Sequence, residues 1–143
     1  MRIAGEQVRQ IEDHARRGYP LEVCGVLVGP RGEAVAVLAA IPVENREREA
    51  PRVRYQIAPE DLLRIQRESR ASRRDIVGFY HSHPDHPARP SETDRRIAAE
   101  GLSDGVVHIV VSVDASGRTV PSAWMFRDAA QVFEEEPMTV VVA

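Results

Sequence analysis

Apolar residues recur along this chain at two different spacings, and each change of spacing marks the edge of an element. Val8, Ile11 and Ala15 sit at helical intervals within residues 5–17, and Gly18-Tyr19-Pro20 closes that run. EVCGVLVG (22–29) predicts a buried strand ending at Gly29-Pro30, and Arg31-Gly32 reads as a hairpin turn into a second strand, Ala34 to Pro42. The charged stretch ENREREAPRVR (44–54) predicts a mobile loop, with a short strand near 53–57. At Ala58-Pro59-Glu60-Asp61, a proline in the first helical position and two acids in the first turn announce a helix. Leu62, Leu63 and Ile65 carry it to about residue 71. There follow strand 75–83, loop 84–90, helix 91–100, strand 106–113, a turn at Asp114 to Gly117 and strand 118–127.

The order helix, hairpin, helix, strand, helix, hairpin predicts an α+β (mixed α/β) sandwich, a mixed and mostly antiparallel sheet packed by about three helices. No internal repeat, low-complexity tract or linker interrupts it, so residues 1–143 are expected to form a single domain. Within the closing FEEEPMTVVVA, Glu134–Glu136 is expected to be a solvated face. Thr139 to Val142 is expected to be an edge strand able to recruit a second subunit into a homodimer.

Composition narrows the function classes. A net charge of −3 argues against a nucleic-acid reader, since those carry a strong basic surplus. No run approaches the ~18 apolar residues of a membrane span, and MRIAGEQVRQ has no apolar signal-peptide core. The single cysteine, Cys24, excludes an internal disulfide and fits a reducing cytoplasm. All 19 basic residues are arginines, so the chain offers no lysine amine to anything that attaches itself to lysines.

The chemistry gathers in HSHPDHPARPSETD (81–94), directly after the apolar segment IVGFY (76–80). Side chains at i and i+2 of a strand leave the same face, so His81 and His83 can present two imidazole nitrogens to one point in space. Ser91 and Asp94 have the spacing of a helix-capping box. Because helical side chains lean toward the N-terminus, that helix start would also bring an Asp94 oxygen back beside the imidazoles. Two histidines, a carboxylate and water make a standard open site for catalytic zinc. Glu22 opens an apolar strand, where a buried carboxylate is costly unless it has work to do. A general base beside an activated water is such work.

Together these residues resemble the JAMM (MPN-plus) metallopeptidases. The shared pattern is a glutamate in an early strand, H-x-H-P, seven intervening residues (here Pro84 through Pro90), a serine and an aspartate three beyond it. The likeness extends over most of residues 1–127, including EVCG, the Pro-Glu-Asp helix start and IVGFYHSHP, and no polar position of the motif is missing. The resemblance implies His81, His83 and Asp94 as Zn²⁺ ligands, Glu22 as general base, and Ser91 as a support for the tetrahedral intermediate. It further implies an isopeptidase-like hydrolase of compact prokaryotic type. Its expected substrate is a ubiquitin-like or sulfur-carrier protein with a Gly-Gly tail, which carries cysteine or is joined to lysine. The group beyond the scissile bond is expected to be only loosely read, and the residues before it strictly.

Two rivals are weighed against this. A non-catalytic scaffold of the same fold, binding a ubiquitin-like partner without cleaving it, has no need of five intact polar residues. A zinc deaminase expects H-x-E and P-C-x-x-C, which one cysteine cannot supply. Cys24 lies on the same face as Glu22 but is expected to be a small buried hydrophobe. His86 is expected to be exposed loop polarity, Trp124 a packing residue, and His14 and His108 show no partner pattern.

Overall fold

The elements form where periodicity places them, and the central strands are those whose residues are apolar on both faces. In the computed structural model, which describes residues 1–30, 32, 35–101 and 105–142, the chain opens with β1 (Arg2–Ala4) and α1 (Gly5–Gly18). It continues through β2 (Cys24–Gly29), β3 (Ala36–Val37), β4 (Ala39–Val43), α2 (Pro59–Ala71) and β5 (Asp75–Pro84). Then come α3 (Glu92–Glu100), β6 (Val107–Val113), β7 (Thr119–Arg127), β8 (Val132–Glu136) and β9 (Thr139–Val141). A six-stranded sheet runs in the order β4-β2-β5-β6-β7-β8, with only β5 and β6 parallel. This is the mixed, mostly antiparallel sheet with three helices that the pattern predicts.

Alternation divides the core between the two faces of the sheet. Leu27, Tyr80, Ile109 and Val111 join Ile11 and Ala15 of α1 in one buried cluster, while Cys24, Val26, Val28 and Val43 pack with Ile65 of α2 in the other. Burying side chains of this size stabilises by roughly 1.5–3 kcal/mol each. Tyr80 needs room to lie over its neighbour β2. A Cβ at its partner Gly25 would sit 1.9 Å from the ring, so glycine is required there. The ring's hydroxyl reaches His14 Nδ1 at 2.7 Å, which gives His14 a partner that the sequence did not reveal.

Several expectations are corrected. The second strand of the first hairpin is broken at Leu38: Ala36–Val37 joins a small parallel sheet, β3-β1-β9, and only Ala39–Val43 pairs with β2. The expected turn at Arg31-Gly32 falls largely outside the described residues, as does the strand start at Ala34. Residues 53–57 form no strand: Val53 lies in a turn, and the segment is held by the Asn45 side chain and by a backbone bond from Arg46 N–H to the Gln56 carbonyl rather than by a ladder. Glu134–Glu136 does lie largely exposed, yet it belongs to β8, which pairs with β7. Thr139–Val141 is an edge strand, as expected, but of this chain's own small sheet, where β9 pairs in parallel with β1. Among the described residues, no helix is long and apolar enough to cross a membrane.

The topology explains where a site can form. β5 lies between antiparallel β2 and parallel β6, so its C-terminal end meets the N-terminal end of β2. The crossover through α3 starts from the same end, which makes it the switch point where sheets of this kind hold ligands.

Candidate functional site

Parity along β5 sends His81 and His83 to the face shared with Phe79 and Cys24, and both are buried at 2% and 6% exposure. Their Nε2 atoms lie 3.0 Å apart. α3 begins beyond the loop with Ser91 as its N-cap, whose Oγ accepts from the Asp94 backbone N–H at 3.0 Å. Asp94 Oδ2 in turn accepts from the Ser91 backbone N–H at 2.8 Å, completing the capping box. That same oxygen stands 3.1 Å from His81 Nε2 and 3.2 Å from His83 Nε2. The helix cap and the ligand-like placement are therefore one arrangement, not alternatives.

These three atoms form a triangle with edges of 3.0–3.2 Å. A face of a tetrahedron around zinc with bonds of about 2.0–2.1 Å has edges of about 3.3 Å. The tautomer fits as well. His83 Nδ1 faces the Pro87 carbonyl at 3.0 Å, and a carbonyl only accepts, so Nδ1 carries a proton and the neutral ring turns its Nε2 lone pair to the cluster. A lone pair beside a carboxylate oxygen calls for a cation between them.

Glu22 comes from just before β2, 4% exposed, and its Oε1 is buried without a hydrogen-bond partner. Ligand atoms of Glu22, His81 and His83 all lie within 4.8 Å of one another, a buried group able to hold a metal ion. The two carboxylates are set apart by their surroundings. Burial, only partly countered by His83, pushes the Glu22 pKa up to about 8. Burial acts in the same direction on Asp94, but hydrogen bonds and charge from His81 and His83, with the Ser91 N–H, outweigh it and hold Asp94 well below the usual range. Burial likewise lowers the pKa of His81 despite Asp94. At His83 burial is outweighed by Asp94, the Pro87 carbonyl and Glu22, and its pKa is raised. One carboxylate stays ionised and the other takes up a proton readily.

Two clefts meet at this cluster, with Arg54 and Thr93 lining both. The first, about 470 Å³, is walled by Glu22, His83, Ser91, Arg54 and Arg89 among others. The second, about 760 Å³, touches His81 and Asp94 and is mostly apolar, with Ile57, Leu62, Phe79 and Ile97.

Residues 6–127 match the family described as prokaryotic homologs of the JAB domain. The chain belongs to the JAB/JAMM family. Among its JAB relatives, the desampylase of Haloferax volcanii is 40% identical over 126 residues, covering 85% of this chain and 86% of that protein. The CysO-cysteine peptidase of Mycobacterium bovis is 33% identical over 139 residues, covering 97% and 90%. A protein of Desulfitobacterium hafniense whose structure was solved in solution has the same fold, with a TM-score of 0.83 at 24% identity, covering 99% of this chain and 93% of the other.

The remaining residues of this JAB domain fall mostly as their types suggest. Cys24 is fully buried among Val26, Val43 and Ile65, and burial pushes its thiol up to about 12. His86 is exposed in the loop. Trp124 is only half-buried; its indole donates to Ser122 Oγ at 2.8 Å and to the Ala88 carbonyl at 3.3 Å, which ties down the loop after the histidines. His108 is buried between Phe79 and Phe133.

Three supports went unseen in the sequence. Tyr55 stacks on His81 with ring centroids 4.5 Å apart. Asn45 donates to the carbonyls of Glu22 and Arg54. Ser82 Oγ accepts from the Val23 N–H. Serine between the two histidines was the one signal at hand, since its side chain must leave the opposite face.

Proposed function

We propose that this protein is a zinc-dependent, isopeptidase-like hydrolase that cleaves after the terminal Gly-Gly of a ubiquitin-like or sulfur-carrier protein. One observation carries the proposal: Asp94 Oδ2 lies within 3.2 Å of both imidazole Nε2 atoms, while a second carboxylate beside them, Glu22, has an unpartnered buried oxygen. A scaffold that only binds its partner has no use for that oxygen. The names of two relatives, desampylase and CysO-cysteine peptidase, support this class of substrate.

In this mechanism His81, His83 and Asp94 would hold the metal, a donor set of two histidines and a carboxylate that is found in catalytic zinc sites. Zinc there would supply a Lewis acid for the carbonyl and would acidify the attacking water. Glu22 takes the proton from that water on its free carboxylate oxygen, for which a raised pKa suits it. It then delivers the proton to the departing amine. Ser91 Oγ accepts from Asp94 N, so its own O–H remains free to donate into the cleft, where it steadies the developing oxyanion. Asp94, kept ionised, does not compete for the proton. The Pro87 carbonyl and the Tyr55 ring fix the two imidazoles.

Incubating the protein with Gly-Gly-ended carriers joined to cysteine or to a lysine side chain, followed by mass spectrometry, tests the proposal. Release of at least one adduct is expected, and it should fail when the final glycine is changed to leucine. Release of neither, or equal release with leucine, would overturn it.

A further inference from the structure

We propose that Arg54 and Arg89 read a free carboxylate on the departing group, so that the amine released is that of a single amino acid rather than a lysine side chain. This rests on the hydrolase assignment above and specifies its substrate. It also departs from the sequence-based expectation that the leaving side is loosely read.

Both arginines line the smaller cleft, beside Glu22, His83 and Ser91. Both are exposed, and among the described residues neither guanidinium has a hydrogen bond or ion pair. By contrast, Arg48 reaches Glu44 at 2.7 Å, Arg64 reaches Asp61 at 3.3 Å and Arg95 reaches Glu92 at 2.6 Å. Among the described residues Glu22 is the only carboxylate lining that cleft, and it belongs to the proposed chemistry. The larger cleft differs in its charge, since three acids, Glu47, Asp94 and Glu100, stand there with Arg54 and Arg96. The two sides of the cluster are therefore unlike, and the cationic side suits an anion.

Hydrolysis joins the water oxygen to the glycyl carbonyl carbon, breaks the C–N bond and leaves the amine with the extra proton. In an adduct through an α-amine, the carboxylate carbon is two bonds from that nitrogen, which puts its oxygens roughly 2.7–3.6 Å away. A carboxylate held so close to the scissile bond falls within the small cleft, where a guanidinium fork can accept it in bidentate fashion. A lysine side chain places four methylenes between the departing nitrogen and its backbone, and offers no anion there.

The test compares a Gly-Gly-ended carrier joined to cysteine, to cysteinamide and to the side chain of a lysine peptide. The cysteine adduct is expected to be cleaved with about tenfold or greater advantage in kcat/KM over cysteinamide, the scale of a charge-assisted hydrogen bond. Arg54→Gln and Arg89→Gln, exposed positions whose folding circular dichroism can check, should bring that preference toward parity, mainly through KM. Calorimetry of the uncleaved adducts on Glu22→Gln should give the same order of affinity. Equal handling of acid and amide, or faster release from lysine than from cysteine, overturns the carboxylate reader alone. Release from no adduct overturns the hydrolase assignment and this inference with it.

Discussion

Ser82 is bonded twice to Val23: its Oγ accepts from the Val23 N–H at 2.8 Å, and its own N–H donates to the Val23 carbonyl at 3.0 Å. Ser82 sits between the two histidines and Val23 follows Glu22, so this clamp fixes Glu22 against the pair of imidazoles. Ser82→Ala leaves the buried Val23 N–H without its acceptor, which costs about 1–3 kcal/mol of stability. The expected pattern is a lower urea midpoint, a reduced rate and undiminished metal content, because no ligand is removed. Loss of metal in step with rate would show that the clamp does not act through Glu22.

Cys24 should be chemically silent. Direct attack by water needs no covalent intermediate, and a fully buried thiol with its pKa pushed up to about 12 supplies almost no thiolate. Cys24→Ser should retain most activity, although the buried hydroxyl costs some stability, and thiol alkylators should inhibit little under native conditions. Stoichiometric inactivation by an alkylator would implicate the thiol.

His108 should make the fold acid-sensitive. Burial, reinforced by the nearby His81, pushes its pKa down to about 4, against about 6.5 in the unfolded chain. Its Nε2 has no partner to reward a proton. Between those values the unfolded state binds more protons, so stability falls as the pH drops from 6.5 toward 4, by up to about 1.4 kcal/mol per unit. Urea titrations at pH 7, 6 and 5 should show this slope, and His108→Leu should flatten it. An unchanged slope in the variant would assign the acid sensitivity elsewhere.

What could be read from the sequence was local. His81, His83, Ser91 and Asp94 lie within one strand, one loop and one helix start, where a period of two and a cap fix direction. Glu22 is distant in sequence, but a carboxylate opening an apolar strand announces itself. Tyr55 and Asn45 were not legible because their segment has no period, and the contacts that matter arise only when it folds back over β2 and β5. The pairing of β1 with β9 joins the two ends of the described chain through strands of three residues, too short to carry a pattern. The break at Leu38 was hidden for a related reason. Its residues are apolar throughout, and only the tertiary fold divides them between two sheets.

The most direct test of the central claim is metal content measured alongside rate in the wild type and three variants, two at carboxylates and one at a histidine. The wild type is expected to hold one zinc per chain. Glu22→Gln should keep that zinc while losing roughly 10²–10⁴-fold in rate, the scale of a general base. His83→Ala and Asp94→Ala should lose metal and activity together. No transition metal in the purified protein, and none taken up on addition, would contradict the account; zinc lost from Glu22→Gln but retained in Asp94→Ala would show the two carboxylates exchanged.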